Sequence, residues 1–347
     1  MSAITNALTG VIQWIYSIIH NHGWSIVIFT LLIRIVLMPL DISSRKGMRR
    51  MSKIQPQLNA LQKKYANDKA KLQQKQSELM RKERYNPLSG CLPLLIQMPI
   101  LFAMFGAMRA IANQQVVEQV FQFLKGETPV YEGWLWVKNL WMADSLFASV
   151  APSLNSMQMV GHDVWHNVWN TLTAGDQQLV IQSIMQHVPE FGGNLDFATA
   201  EALKATMPSL QAALVQMPAY LAQITPMAGF ENINLILFSF KVYEHFNGLL
   251  LLPVLAGLSQ LLMTKINPQA TGQAPGAEGQ TAGMGNFMKY FFPLFSVYIC
   301  LTSNAGFALY WVVSNLIATA MSYFINIYFD NKEKREAGMK LQEGTVK

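Results

Sequence analysis

The residue around which chemistry could turn is Arg34. It lies in the apolar run from Trp24 to Leu40, about ten residues in, or roughly 15 Å along a helix at 1.5 Å per residue. That depth is near mid-bilayer. An arginine there costs about 2.5–3.5 kcal/mol on insertion scales, so such a residue faces a bundle interior or a wet cavity and marks function. Thr30 stands one helical turn earlier on the same face. Near the carboxyl end, Trp311, Asn315, Ser322 and Asn326 recur at spacings of four, seven and four beside Tyr310 and Ser314. Gln97 and Gln260 add polar groups from two other apolar runs. Singly, such residues also serve as hydrogen-bonding glue between helices; with Arg34 they outline a hydrophilic groove able to attract acidic groups where the dielectric is low.

Other chemistry finds little support. His162 and His166, in HDVWH, are one helical turn apart like a zinc-protease motif with Asp in place of Glu. A shorter carboxylate and no clear third ligand favour ordinary surface histidines and predict no metal site. There is no glycine-rich phosphate loop, Ser–His–Asp set or pair of intramembrane carboxylates, so neither an enzyme nor a cofactor is expected.

The elements that must position these groups are membrane spans. Of 347 residues, 51% are hydrophobic and 13% charged, against about a quarter charged in soluble domains. Five runs approach the about 17–25 residues that cross a bilayer: 24–40, 91–112, 248–264, 287–303 and 305–328. Residues 1–23 carry no Lys or Arg, which argues against a cleaved signal; they read as an interfacial amphipathic helix with Trp14 and Tyr16 at headgroup level. Cys91 and Cys300 should lie near opposite faces, too far apart for a disulfide, whose Cα atoms sit within about 7 Å.

Charge sets the orientation. Residues 41–90 hold 13 of the 26 Lys and Arg against four acids, whereas residues 113–247 hold four Lys and 11 acids. Basic loops stay in the cytosol, so 41–90 should be cytosolic, 113–247 external, the amino terminus outside and the carboxyl terminus inside. Lys265, Lys289 and the five basic residues of the tail, 329–347, all fall inside on this scheme.

Within 41–90, two helices joined at Asn67-Asp68 should form a mobile, basic antiparallel hairpin. Met51, Ile54, Leu58, Leu61 and Tyr65 share one face, with Leu72 and Leu79 available opposite and Pro56 bending the first arm. Residues 113–247 read as a small helical domain. Its end, NINLILFSF, is apolar for too few residues to span and is placed at the interface. Residues 265–286 form a cytosolic loop whose low-complexity stretch from 267 should be flexible. The fold class is therefore all-α: five transmembrane helices around a hydrophilic groove, a cytosolic helical hairpin and a helical external insertion.

Four segments carry a family resemblance: FTLLIRIVLMPL at 29–40, NPLSGCLPLLIQMPILFAMF at 86–105, LLPVLAGLSQLL at 251–262 and GFALYWVVSNL at 306–316. In order and topology they resemble the YidC/Oxa/Alb membrane protein insertases, in the five-span form without an additional amino-terminal anchor. The resemblance covers roughly residues 10–140 and 245–330. It implies a groove open to cytosol and lipid but sealed from outside, with Arg34 at the family's groove arginine and Thr30 and Tyr310 at further groove positions.

It also implies a mechanism without nucleotide hydrolysis. A nascent hydrophobic segment enters from the cytosol, its acidic outer tail rests on Arg34, and its apolar part slides into lipid. The hairpin, through Arg45, Lys46, Arg49, Arg50, Lys53, Lys63 and Lys64, would receive substrates or targeting partners. Partners implied are nascent membrane proteins, especially short ones with acidic outer tails, membrane lipids, and the Sec translocon, ribosome or targeting factors; direct nucleic-acid recognition is not implied. Arg34 alone would also suit a small-anion transporter, but inverted repeats are not evident. Two departures stand out. Residues 147–231 form an external insertion where typical five-span members have a short connection, and the tail, with five basic and three acidic residues in the 17 from 331 to 347, is weaker than the basic ribosome-binding tails elsewhere in the family.

Overall fold

The computed structural model describes residues 2–83, 88–235, 238–266 and 280–345. They are predominantly helical. In chain order, α1 covers Ser2–Ile19, α2 His22–Lys64, α3 Lys69–Lys82 and α4 Leu88–Leu124. Five short helices follow: α5 Leu154–Gln158, α6 His162–Thr171, α7 Ala174–His187, α8 Ala200–Leu214 and α9 Pro218–Ile224. After the strands β1 (Ile233–Leu235) and β2 (Phe238–Phe240) come α10 (Leu251–Ile266), α11 (Gln280–Thr302) and α12 (Ala305–Thr345). Among the described residues, α2, Gln97–Leu124 of α4 and Ala305–Glu336 of α12 are long and apolar enough to cross a membrane, while α1, α10 and Lys289–Thr302 of α11 are shorter apolar helices.

The chain divides into two compact units. One comprises residues 1–26, 103–254 and 298–309; the other comprises 27–102, 255–297 and 310–347.

In the first unit, α4 continues twelve residues past the expected span end at 112. Val116, Val117, Val120, Phe121, Phe123 and Leu124 enter an apolar core with Trp165, Phe197, Leu210 and Tyr220 of the insertion. The continuation is physically reasonable, because Gln114, Gln115 and Glu118 are polar but good helix formers, and their side chains link at 2.7 and 2.8 Å. The insertion is helical as expected, with Ser153, Thr173 and Thr199 capping α5, α7 and α8. NINLILFSF instead supplies the antiparallel pair β1–β2, with Ile233 opposite Phe240; residues 236 and 237 lie outside the described residues.

A polar knot ties the loop after α4. Asn139 and Asn247 exchange backbone and side-chain hydrogen bonds at 2.7 and 2.8 Å, and Asn139 also donates to Gln119 Oε1 and to the Val150 carbonyl. Buried Asp144 caps the start of α10, accepting from the backbone N–H groups of Leu250 at 3.2 Å and Leu252 at 2.7 Å and from Trp136 Nε1 at 3.1 Å. Gly248 is required there, since a Cβ would lie 1.9 Å from Asp144 Oδ1. The same loop accepts the backbone N–H groups of Ala305 and Gly306 at the start of α12. In α1, Ile12 and Ile15 are buried while Ile4, Val11, Trp14 and Ile18 are exposed, an amphipathic pattern. Tyr16 differs from Trp14 by stacking on His22, ring centroids 3.8 Å apart.

In the second unit, α2 runs unbroken through Pro39 and Pro56, so the span and the hairpin's first arm are one helix. Asp68 caps α3 through the Lys71 N–H, placing the turn at the expected Asn67-Asp68. Ile54 and Leu58 are buried, but α3 buries none of its residues. Two expectations need correction. Residues 280–286 are not loop but the first turns of α11, since helix propagates outward from the apolar run and single glycines cost only about 1 kcal/mol each; residues 267–279 lie outside the described residues. The tail beyond 328 is likewise no separate element but a continuation of α12, uninterrupted by proline. Cys300 is a buried free thiol, and the side chain of Cys91 lies outside the described residues.

Candidate functional site

Arg34 is 8% exposed. Its Nε and Nη2 donate to Ser314 Oγ of α12 at 3.2 and 2.5 Å. Among the described residues no carboxylate forms an ion pair with it. Asp41, two turns further along α2, is near enough to interact electrostatically with Arg34 and Arg45, a neighbour that the sequence reading placed just beyond the span. The Tyr310 side chain is hydrogen-bonded to Ser314 and to Gln97 of α4. Thus Arg34, Ser314, Tyr310 and Gln97 converge.

Asn315, one residue on, donates to Ser259 Oγ of α10 at 3.2 Å. Thr30 is buried. Trp311 and Gln260 are half-buried; the Gln260 carbonyl accepts from Thr264 Oγ1 at 2.9 Å, and no hydrogen bond joins its side chain to the Arg34 group. Two polar residues were missed. Ser259 is the acceptor for Asn315, and Thr319, 4% exposed, has a hydroxyl with no hydrogen-bond partner among the described residues. Thr319 lies four residues after Asn315 and extends the stripe, so helical spacing could have found it.

The contact between α2 and α12 continues as a ladder. Arg45 donates to Ser322. Arg49 Nη2 donates to the Asn326 carbonyl at 3.0 Å and Asp330 Oδ1 at 2.6 Å, and its guanidinium lies 5.2 Å from the Phe329 ring centroid. Lys53 Nζ reaches Glu333 Oε1 at 3.0 Å. Numbers rise together on both helices, which therefore run parallel here. Of the hairpin cations, Arg45, Arg49 and Lys53 face α12, whereas Lys46, Arg50, Lys63 and Lys64 are exposed. The first arm of the hairpin, expected to be mobile, is braced by α12.

The rungs change character along the ladder. Where burial is deepest the acceptors are the hydroxyls of Ser314 and Ser322; where water reaches, they are the carboxylates of Asp330 and Glu333. A hydroxyl satisfies a guanidinium's donors without cancelling its charge, and a carboxylate does both.

His162 and His166 stand on α6, whose inward face is Trp165 and Val168. His166 Nε2 is 3.0 Å from Asn170 Nδ2. Among the described residues no three His, Cys, Asp or Glu are grouped to hold a metal ion.

The model of the family described as 60Kd inner membrane protein matches residues 14–199 and 203–333. Among curated relatives, the protein of Fusobacterium nucleatum named membrane protein insertase YidC is 52% identical over 90 residues, 26% of this chain and 44% of its own. Its namesake in Aromatoleum aromaticum is 41% identical over 105 residues, 30% of this chain and 19% of its own. That of Chlorobaculum parvum is 38% identical over 136 residues, 39% of this chain and 21% of its own. The matched stretches cover less than half the length of these relatives.

Proposed function

The chain belongs to the 60Kd inner membrane protein family, the YidC/Oxa/Alb group, and from that premise we propose that it is an insertase and chaperone that passes hydrophobic segments of nascent proteins from the cytosol into the lipid bilayer. It is a multi-pass membrane protein of bacterial type. In this reading α2, α4, α10, α11 and α12 are its five spans, α1 lies at the outer interface, the amino terminus is outside, and α3 with the ends of α2 and α12 is cytosolic.

One observation carries the proposal: a buried arginine held by a hydroxyl, in hydrogen-bonded company with Tyr310 and Gln97, rather than locked to an acid. Burying a guanidinium is costly, and dry ion pairing would relieve the cost at the expense of the free charge. Ser314 instead fixes the group's orientation. The remaining N–H donors and the net charge are then available to an acidic segment, and attraction is strong because water is scarce. The orphan Thr319 hydroxyl and the Asn315–Ser259 pair prolong the polar path along α12. A polar outer tail resting on that path crosses less hydrocarbon, which lowers its desolvation barrier, while its apolar neighbour leaves sideways into lipid. No bond is made or broken and no nucleotide is used. The small-anion transporter gains no support, since the relatives above are named insertases.

The test is reconstitution in liposomes with a single-span substrate bearing an acidic outer tail. Insertion should depend on the protein, and Arg34→Ala should lower it, more for acidic than for neutral tails. Equal insertion by empty liposomes overturns the function; an Arg34→Ala effect blind to tail charge overturns the capture step.

A further inference from the structure

Beyond the membrane-buried rungs, α12 offers Asp330 and Glu333, spaced by three residues, to Arg49 and Lys53 of α2, spaced by four. Each spacing is close to one helical turn. Arg49 Nη2 is 2.6 Å from Asp330 Oδ1, Arg49 Nη1 3.7 Å from Glu333 Oε1, and Lys53 Nζ 3.0 Å from the same oxygen. These are two of the cations that sequence reading assigned to client recruitment. They are not free: the protein's own carboxyl-terminal helix occupies them.

We infer that Asp330 and Glu333 act as a built-in competitor, masking an acidic-peptide site at Arg49 and Lys53 until a client segment with two carboxylates one helical turn apart displaces them. The inference rests on the insertase reading for the identity of the client, but not for the existence of the site. The geometry suits an exchange. The side chains of Asp330, Glu333 and Lys53 are 58%, 46% and 66% exposed, so the outer pairs are weak and salt-screened. Arg49, 22% exposed, keeps its Asn326 carbonyl and Phe329 contacts when the carboxylates leave, so its guanidinium stays aimed. The deeper Arg45–Ser322 and Arg34–Ser314 rungs hold the two helices together meanwhile. A helical client with paired acids would reproduce the contacts that Asp330 and Glu333 give up.

The experiment measures binding of a fluorescent helical peptide, carrying two glutamates three residues apart, to the full-length protein in nanodiscs. The double variant D330N/E333Q should bind it roughly three- to tenfold more tightly than wild type, the range expected from removing two weak exposed pairs. The advantage should vanish in R49Q/K53Q/D330N/E333Q and at 0.5 M salt, where the screening length falls to about 4 Å. A control peptide with its glutamates two residues apart, on opposite sides of the helix, should show no gain. Equal affinity of wild type and D330N/E333Q overturns the competitor, as does a gain that survives loss of Arg49 and Lys53. Peptide binding needs no insertion, so a protein that binds as described but fails the liposome assay would refute the insertase reading alone.

Discussion

The core of the insertion and the inner part of the α2–α12 seam are both buried, yet they are made of opposite materials. In the insertion, Trp165 stacks on Phe197 with centroids 5.7 Å apart and meets the edge of Phe121 at 5.5 Å, and the other buried residues of the core are aliphatic or Met apart from Phe123 and Tyr220. On the two helices that form the seam, the buried polar residues include Thr30, Arg34, Ser44 and Gln55 of α2 and Ser314, Asn315, Thr319 and Ser322 of α12. An apolar core lowers free energy with every contact. A polar seam must satisfy each donor merely to break even, so its presence points to a task other than stability. The contrast teaches where to look for function in a helical membrane protein: in the buried region that is expensive, not in the one that is well packed.

The largest expected effect breaks the comparison on its stable side. Trp165→Ala should destabilise the insertion by about 3–5 kcal/mol, the range for deleting a large aromatic from a core. Limited proteolysis should then cut within residues 147–231 while α2 and α12 remain resistant. Cleavage unchanged from wild type would show that the aromatic stack is not what holds these helices.

A smaller effect, from paired substitutions at one position, sharpens the other side. Ser314→Ala removes the acceptor for two guanidinium donors and should cost about 1.5–3 kcal/mol, as for hydrogen bonds to charged groups. Ser314→Asp supplies a carboxylate within reach of Arg34, so thermal stability should hold or rise while insertion of acidic-tailed substrates falls. Stability and activity moving together in both variants would mean that Arg34 serves packing alone.

Legibility in the sequence followed the same division. Arg34 could be read because a charge in an apolar run is costly wherever it ends up, and Ser314 and Asn315 because polar residues repeat at helical spacing near it. Ser259 escaped notice because a hydroxyl barely alters hydropathy. The ladder escaped it because Arg34 to Lys53 and Ser314 to Glu333 are matching intervals of 19 residues separated by about 280 in sequence, and local periodicity says nothing of such pairing. Helix ends were misplaced at 112, 286 and 328 for one reason. Hydropathy reports the solvent around a helix, whereas a helix ends where its hydrogen bonds and caps end; α4 and α12 continue after their apolar residues stop, and α11 begins before its apolar residues start. The helical insertion was foreseen from its composition, but β1–β2 was not, since NINLILFSF contains no Gly or Pro turn signal.

The smallest effect concerns charge at the insertion's edge. Asp176, in the first turn of α7, accepts from the Thr173 hydroxyl at 2.8 Å and from Lys125 Nζ at 3.0 Å, and these bonds, Thr173 first, hold its carboxyl below the usual range. A carboxyl depressed in the folded state contributes stability that is present above its unfolded value, about 3.9, and is lost as pH falls through the folded one. Acid below about pH 4 should therefore loosen the start of α7, read as reduced amide-exchange protection after correction for the intrinsic rate, and Asp176→Asn should flatten that dependence. An equal acid response in wild type and Asp176→Asn would move its origin elsewhere. The Arg34–Ser314 contact should not respond over the same range, because neither a guanidinium nor a hydroxyl changes charge there. Acid thus separates the regions: it reaches the insertion through a carboxylate at its rim, and it leaves the arginine's charge in place.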